Sequence, residues 1–313
     1  MPSDVTLELD DSGSALLDLG NQLRASGYSF TTVTPETHRR NNERPESREA
    51  RTLRDVFGWS RPFTRAVLPP AMLDALHRAG AVNERDGRLQ ATVRFSTLAG
   101  GLYVHSAYPT TDENAVFFGP DTYRFCSLLA AEIRRARRCV DVCGGSGVGG
   151  LSIADRADRI VIADVNPAAL ALARVNAHLA GVADRVELVR GDLFAAVGGD
   201  VDLIVANPPY LLDPGHRVYR DGGGTAGEGL AIRIVREGLA CLASGGVLVL
   251  YTGAPIVEGR DVVRAAIAPI LDAGAARWTY RELDPDVFGE ELELPTYAAV
   301  ERIAVVAAVA TVA

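Results

Sequence analysis

The residues Asn207-Pro208-Pro209-Tyr210 directly follow an apolar run that ends at Ala206. The side-chain oxygen of Asn207 and the carbonyl of Pro208 can together accept both N–H bonds of an amino or amide nitrogen, which aims its lone pair at an electrophile. The prolines hold the loop rigid, and Tyr210 offers a flat face to a planar group. We therefore predict Asn207, Pro208 and Tyr210 as catalytic residues of N-alkylation. The alternative is a plain proline turn after a strand.

A glycine-rich loop lies earlier in the chain, between Asp141 and Gly150. Glycines let the backbone turn tightly and let a ligand approach the main chain. Asp164 follows about 20 residues after Gly145, at the end of the next predicted strand, where a carboxylate can accept both ribose hydroxyls of a nucleoside. The run from Gly145 to Gly150 also fits the dinucleotide fingerprint G-x-G-x-x-G. The loop alone therefore leaves open a nicotinamide dinucleotide, an adenosine cofactor, or no ligand.

A third acidic position follows the next predicted strand, in the run Arg190-Gly191-Asp192-Leu193-Phe194. Its carboxylate could accept the amino group of adenine. Aspartate is also a favoured N-cap residue, so Asp192 could instead begin a helix. The position favours the cofactor role.

These motifs resemble the class I S-adenosylmethionine-dependent methyltransferases that carry an Asn-Pro-Pro-Tyr loop. That group comprises release-factor glutamine methyltransferases, adenine-amino methyltransferases of DNA and guanine-amino methyltransferases of ribosomal RNA. The resemblance runs from about Val116 to the C-terminus. Its glutamine-modifying branch is also similar in three further segments: Phe118-Gly119-Pro120-Asp121-Thr122, Asp221-Gly222-Gly223 and Leu242-Ala243-Ser244-Gly245-Gly246.

The resemblance implies S-adenosylmethionine as cofactor and a set of residues to hold it. Asp141, Gly145 and Gly147 would surround its methionine part, Asp164 would bind ribose, and Asp192 with Leu193 would bind adenine. Thr122, Val165 and Asn207 complete the expected cofactor-binding set. Cys143 departs from the family, which usually has glycine there, and its side chain could crowd the methionine part.

The spacing of apolar residues predicts the elements that position these loops. From Pro109 onward, short apolar strands alternate with helical stretches, which predicts an α/β, Rossmann-like, doubly wound sheet. We expect seven strands with an antiparallel C-terminal strand, in a methyltransferase domain over residues 111–313. Residues 1–110 are predicted to form a smaller helical, winged-helix-like module, a possible substrate-recognition part. Its predicted elements are helices over 14–24, 46–59 and 70–77, and a hairpin joined near Ala99-Gly100.

Composition limits the classes of partner. The chain has 313 residues and a net charge of -8, and all 32 of its basic residues are arginine. Arginines between Arg39 and Arg54 are interleaved with acidic residues, which favours a salt-bridged helix face over a nucleic-acid arm. Four cysteines without a pairing pattern or C-x-x-C spacing and singly scattered histidines predict no metal site. The absence of a long apolar run and of a signal peptide predicts a cytoplasmic protein without a membrane partner.

The methyl acceptor stays open between a protein glutamine, an RNA or DNA base, and a small molecule. The last would make the chain a small-molecule methyltransferase of specialised metabolism. Two further functional classes are an NAD-dependent oxidoreductase and a non-catalytic cofactor-binding protein. The asparagine loop argues against both.

Overall fold

The computed structural model describes residues 7–213, 215, 217 and 219–313. The predicted absence of a signal peptide rests mainly on residues 1–6, which lie outside this range. No helix in the described part of the chain is long and apolar enough to cross a bilayer.

Described residues 7–106 form four α-helices and two antiparallel hairpins. The hairpin joined at Ala99-Gly100 is confirmed, whereas the predicted helix over 46–59 is wrong. The α-helix there begins only after Thr52, whose hydroxyl accepts from the Asp55 backbone in a capping box. Sequence reasoning also missed the helix Pro35–Asn42 and the hairpin formed by Val82–Arg85 and Arg88–Ala91. The elements are α1 (Asp11–Ala25), α2 (Pro35–Asn42), α3 (Leu53–Phe57), α4 (Pro70–Arg78), β1 (Val82–Arg85), β2 (Arg88–Ala91), β3 (Val93–Leu98) and β4 (Gly101–Ser106).

The rest of the described chain alternates helices and strands around one sheet. Its helices are α5 (Pro120–Glu132), α6 (Val148–Ser152), α7 (Pro167–Leu179), α8 (Gly229–Cys241) and α9 (Val262–Gly274). Its strands are β5 (Ala136–Val142), β6 (Ala157–Asp164), β7 (Val186–Arg190), β8 (Val201–Ala206), β9 (Leu242–Val257), β10 (Arg260–Asp261), β11 (Arg277–Asp284) and β12 (Arg302–Thr311). α5 ends at Glu132, and β5 begins at Ala136.

The sheet has the order β11-β12-β9-β8-β5-β6-β7. β12 pairs antiparallel with both neighbours, while β5 to β9 pair in parallel. The Rossmann-like sheet with an antiparallel C-terminal strand is therefore confirmed. The two-residue β10, which pairs with β9, adds an eighth strand that was not predicted. Strand order reverses at β5, between β6 and β8, and such a switch point leaves a crevice at the carboxyl ends of the strands.

Apolar residues cover both faces of this sheet. Along β5, Cys139 packs with the cluster that includes α5, α6 and α7, and Val140 packs with the cluster of α8 and α9. The N-terminal helices and hairpins form a third cluster, which reaches α7 through Val175 and Leu179. The predicted boundary near residue 110 stays a prediction, and the structure adds that the N-terminal elements share a core with α7.

A buried asparagine on α7 links the N-terminal hairpin to the glycine-rich loop. The Asn176 side chain accepts from the Val104 N–H at 2.8 Å and donates to the Val104 carbonyl at 3.0 Å. It also donates to the Ser146 carbonyl at 2.9 Å. Because losing a partner leaves a buried polar group unsatisfied, at a cost of about 1 to 3 kcal/mol, this residue fixes the loop against the second hairpin.

Candidate active site

A cavity of about 360 Å³ opens at the carboxyl ends of β5, β6, β7 and β8. Its volume falls in the range of small-molecule sites, about 300 to 1,000 Å³. The structure brings ten of the eleven predicted site residues to its wall: Thr122, Asp141, Gly145, Asp164, Val165, Asp192, Leu193, Asn207, Pro208 and Tyr210.

The two predicted glycines differ in position. Gly145 has φ 55°, and a Cβ built there would meet only Val116, at 4.0 Å, so any side chain would enter the cavity. Gly147 has φ 78°, and its Cβ would lie 2.7 Å from Ile162. Gly147 does not line the cavity. It allows the loop to pack on the core beneath, and we therefore place it behind the predicted methionine site.

Asp164 is the last residue of β6 and lines the cavity. One carboxylate oxygen accepts from the Gly145 N–H and the other from the Asn166 N–H, each at 2.8 Å. Burial raises the pKa of Asp164, and these N–H groups oppose that rise. Each oxygen keeps a lone pair for a further donor, so the side chain is held rigidly in place and can still accept two hydroxyls.

Asp141, at the end of β5, lies beneath the loop. Its side chain is 1% exposed and accepts from the Gly150 N–H at 2.7 Å. Burial raises the pKa of Asp141 to about 7, the Gly150 hydrogen bond lowers it, and Asp164 raises it. The charge at this end of the cavity therefore changes near neutral pH.

Cys143 has a φ of 54°, in the left-handed region that glycine adopts freely. A glycine at this position, which the resemblance implies, would relieve a strain of roughly 1 to 2 kcal/mol. Burial, followed by the carboxylates of Asp164 and Asp141, raises the pKa of the Cys143 thiol. The side chain lines the cavity as a neutral thiol.

Asp192 is exposed and paired. Both of its oxygens accept from the Arg233 guanidinium, at 3.2 and 3.0 Å. The N-cap alternative is wrong, because residues 193–196 form a turn and not a helix. The neighbouring Leu193 is buried at φ 49°. If Asp192 binds adenine, the same carboxylate must accept hydrogen bonds from both adenine and Arg233.

Asn207 follows β8 and lines the cavity half-buried. No described residue hydrogen-bonds its side chain. Its amide oxygen is therefore available to a ligand, in contrast to the carboxylates of Asp141 and Asp164, which are held by the main chain.

Tyr210 is 7% exposed, and its hydroxyl donates to Oδ2 of Asp121 at 2.6 Å. Burial, followed by Asp121, raises the pKa of Tyr210 well above its ordinary value, so the hydroxyl remains a donor. Tyr251 donates to the other oxygen of Asp121 at 2.8 Å. The Tyr210 ring meets Phe288 edge-on, with 5.9 Å between ring centroids. Stacking of Tyr210 on a substrate stays a prediction.

Sequence reasoning missed Asp121, Tyr251 and Phe288 as parts of this site. Asp121 lies in the segment Phe118-Gly119-Pro120-Asp121-Thr122, and its place beside Thr122 is the sequence signal that points to it. Tyr251 and Phe288 come from distant parts of the chain, and nothing in their local sequence indicates a site.

The segment after Tyr210 closes one side of the cavity with Tyr219, Arg220 and Asp221. Tyr219 donates to the Thr110 carbonyl at 2.6 Å, which ties this segment to the end of the N-terminal part. Arg220 forms ion pairs with Asp213 and Glu291. The charge of Arg220 is thus balanced by two carboxylates, one of which lies outside this segment.

The residues present fit an adenosine-containing cofactor. Gly145 leaves open the space that a Cβ would fill, and Asp164 presents two fixed acceptors beside it. Within the described residues, no cluster of three or more histidine, cysteine or acidic side chains is arranged to hold a metal ion.

The sequence of the chain is similar to those of known methyltransferases. The methyltransferase small domain family matches residues 114–255. The release factor glutamine methyltransferase of Deinococcus radiodurans is 36% identical over 220 residues, 65% of this chain and 74% of that relative. The enzyme of the same name from Cereibacter sphaeroides is 37% identical over 150 residues, 41% of this chain and 54% of the relative. The chain thus spans about half the length of the second relative.

Among solved structures, M. jannaschii TYW2 in complex with AdoMet aligns with a TM-score of 0.49 and 13% identity. The alignment covers 70% of this chain and 85% of that chain. A likeness at this level says nothing about the methyl acceptor.

Proposed function

Because the chain belongs to the class I S-adenosylmethionine-dependent methyltransferases, in the group that includes the release factor glutamine methyltransferases, we propose that it methylates the side-chain amide nitrogen of a protein glutamine. The observation that carries the proposal is the free Asn207 side chain at the cavity wall. The oxidoreductase alternative, which rested on the dinucleotide fingerprint, is wrong for a chain of this family.

Asn207 and Pro208 can present an amide nitrogen for alkylation. The lone pair of such a nitrogen is delocalised into its carbonyl, so the nitrogen must become pyramidal to react. Two acceptors on its N–H bonds, the Asn207 side-chain oxygen and the Pro208 carbonyl, favour that form and orient the lone pair. The nitrogen becomes acidic as it is alkylated, so no strong base is needed before attack.

Most of the rate acceleration in such a reaction comes from holding the two reactants in the correct geometry, which can correspond to effective molarities on the order of 10⁵ to 10⁸ M. S-adenosylmethionine supplies an activated methyl group when bound. Asp164 would hold its ribose, the backbone around Gly145 its methionine part, and Asp192 with Leu193 its adenine. These residue roles are part of the proposal.

The charge of the cavity favours an amide of a protein over a base within a nucleic-acid strand, because the phosphates of such a strand are negatively charged. Arg220 is the one basic side chain among its described lining residues, and Asp213 and Glu291 pair with it. The acidic lining residues are Asp121, Asp141, Asp164, Asp192 and Asp221. Outside the cavity, Arg39 and Arg40 are paired with Glu36 and Glu43. These acidic and paired groups would attract the phosphate backbone of a nucleic acid only weakly.

An acceptor screen tests the proposal. The protein is incubated with methyl-labelled S-adenosylmethionine and, in parallel, an unmethylated bacterial release factor, ribosomal RNA and duplex DNA. We expect label on the release factor, located at a glutamine by peptide mass mapping and lost when that glutamine is replaced by glutamate. Label on RNA or DNA instead, or on small molecules of a cell extract alone, would overturn the glutamine proposal.

A further inference from the structure

The buried carboxylate of Asp121 joins the two sides of the cavity. Asp121 lies in the first turn of α5, is 4% exposed and lines the cavity next to Thr122. One carboxylate oxygen accepts a hydrogen bond from the Tyr210 hydroxyl at 2.6 Å. The other accepts from the Tyr251 hydroxyl at 2.8 Å and from the Arg124 guanidinium at 3.2 Å. Both oxygens are thus in use, and all of the donors are side chains.

We propose that Asp121 is a positioning residue for methyl transfer, which holds the Asn207-Pro208-Pro209-Tyr210 loop in register with the cofactor through the Tyr210 hydroxyl. The inference rests on the proposed function, since it requires that this loop present the methyl acceptor. Asp121 itself need not contact the acceptor.

The structure provides a mechanical reason for this role. Tyr210 is the last residue of the loop, and two rigid prolines separate it from Asn207. Fixing the Tyr210 side chain therefore limits the positions that the Asn207 amide can take. On its other side, the ring packs against Gly253 of β9, where a Cβ would collide with the ring. The hydroxyl bond to Asp121 fixes the far end of the same ring.

The network is supported from outside the cavity. Arg124, one turn after Asp121 on α5, also pairs with Asp284 at the end of β11, at 2.8 Å. The N-terminal end of a helix stabilises a negative charge. Asp121 is thus a fixed point shared by α5, β9 and the loop, and small changes there should alter the geometry of the loop before they unfold the protein.

A ligand pair tests this role without an identified acceptor. Sinefungin carries an amine on the carbon that replaces the sulfonium of S-adenosylmethionine, whereas S-adenosylhomocysteine has only a thioether there. The amine can donate to the Asn207 oxygen and the Pro208 carbonyl. The ratio of the two dissociation constants, measured by calorimetry, therefore reports whether these acceptors face the methyl position.

We expect wild-type protein to prefer sinefungin and Asn207→Ala to lose that preference. Asp121→Asn and Tyr210→Phe should each weaken sinefungin about tenfold, as expected for one misplaced hydrogen-bonding group. S-adenosylhomocysteine affinity should stay within about twofold, because Asp164 and the glycine loop are untouched. The double variant should be no worse than either single one, since both break the same contact.

Tyr280→Phe is the matched control. Tyr280 donates to Asp261 at 2.7 Å, in a second Tyr–Asp pair that lies outside the cavity lining. Its removal should leave both dissociation constants unchanged.

The outcomes separate the two proposals. If Asn207→Ala abolishes the preference for sinefungin but Asp121→Asn and Tyr210→Phe keep it, Asp121 has only a structural role. The inference then fails, while the proposed function stands. Equal losses of both ligands in Asp121→Asn and Tyr210→Phe would also overturn it, because the network would then shape the whole pocket. If wild-type protein shows no preference, or Asn207→Ala retains it, the proposed role of the loop fails and the inference fails with it.

Discussion

The cofactor side and the acceptor side of the cavity are built in different ways. The cofactor side consists of strand ends, and backbone N–H groups fix two of its three carboxylates: Gly145 and Asn166 hold Asp164, and Gly150 holds Asp141. The acceptor side is fixed by contacts between side chains far apart in sequence. Tyr210 and Tyr251 reach Asp121 across 89 and 130 residues.

This difference has a consequence for robustness. Backbone donors are supplied by the fold itself, whatever the side chains are, so the cofactor side should tolerate most substitutions outside its glycines and acids. The acceptor side depends on individual side chains. Substitutions there should change turnover while leaving cofactor affinity intact.

The largest effect is expected from Gly145→Val. A branched side chain at φ 55° is strained, and its methyl groups would enter the space in front of Asp164. We predict loss of measurable S-adenosylhomocysteine binding by calorimetry, together with a cooperative thermal transition. Retained affinity for S-adenosylhomocysteine would show that the ligand does not lie against Gly145. The assignment of residues to cofactor binding would then be wrong.

A pH titration tests the buried Asp141. Its pKa in the folded protein is raised to about 7, so the folded state keeps a proton that the unfolded state releases from about pH 4 upward. The free energy of unfolding should therefore fall as pH rises from about 4 to 7.

Asp141→Asn keeps an acceptor for the Gly150 N–H and removes the ionisation. Denaturant unfolding should show that wild-type protein loses on the order of 2 to 4 kcal/mol relative to this variant across that window. Parallel pH profiles of the two proteins would contradict the raised pKa.

Two aspartates on the cofactor side offer a smaller, paired comparison. Asp164→Ala should weaken S-adenosylhomocysteine binding by about 1.5 to 3 kcal/mol, the range for hydrogen bonds to a charged group. Asp192→Ala should cost less than about 1 kcal/mol, because its exposed carboxylate already pairs with Arg233. If calorimetry shows equal losses of S-adenosylhomocysteine affinity in the two variants, then exposure and pairing do not determine how much each aspartate contributes to binding.

The same contrast explains how far the sequence could be interpreted. The alternation of strands and helices, the glycine loop and Asp164 follow from local patterns, since a parallel sheet brings successive strand ends to one edge. Asn207 was identifiable because its motif lies within four residues of a strand end. Asp121, Tyr251 and Phe288 were not, because their meeting depends on the packing of α5, β9 and the segment after β11. The 46–59 helix failed because local capping at Thr52 outweighed a longer apolar pattern.

The most direct test of the account compares Asn207→Ala and Asn207→Asp with wild-type protein, in single-turnover methyl transfer and in S-adenosylhomocysteine binding. If Asn207 presents the acceptor nitrogen, Asn207→Ala lowers the rate by about 10² to 10³, as expected for one preorganised polar contact at a reacting centre. Cofactor affinity stays nearly unchanged, and Asn207→Asp keeps part of the rate because a carboxylate still accepts hydrogen bonds. Wild-type rates in both variants, or loss of cofactor binding in both, would contradict the account.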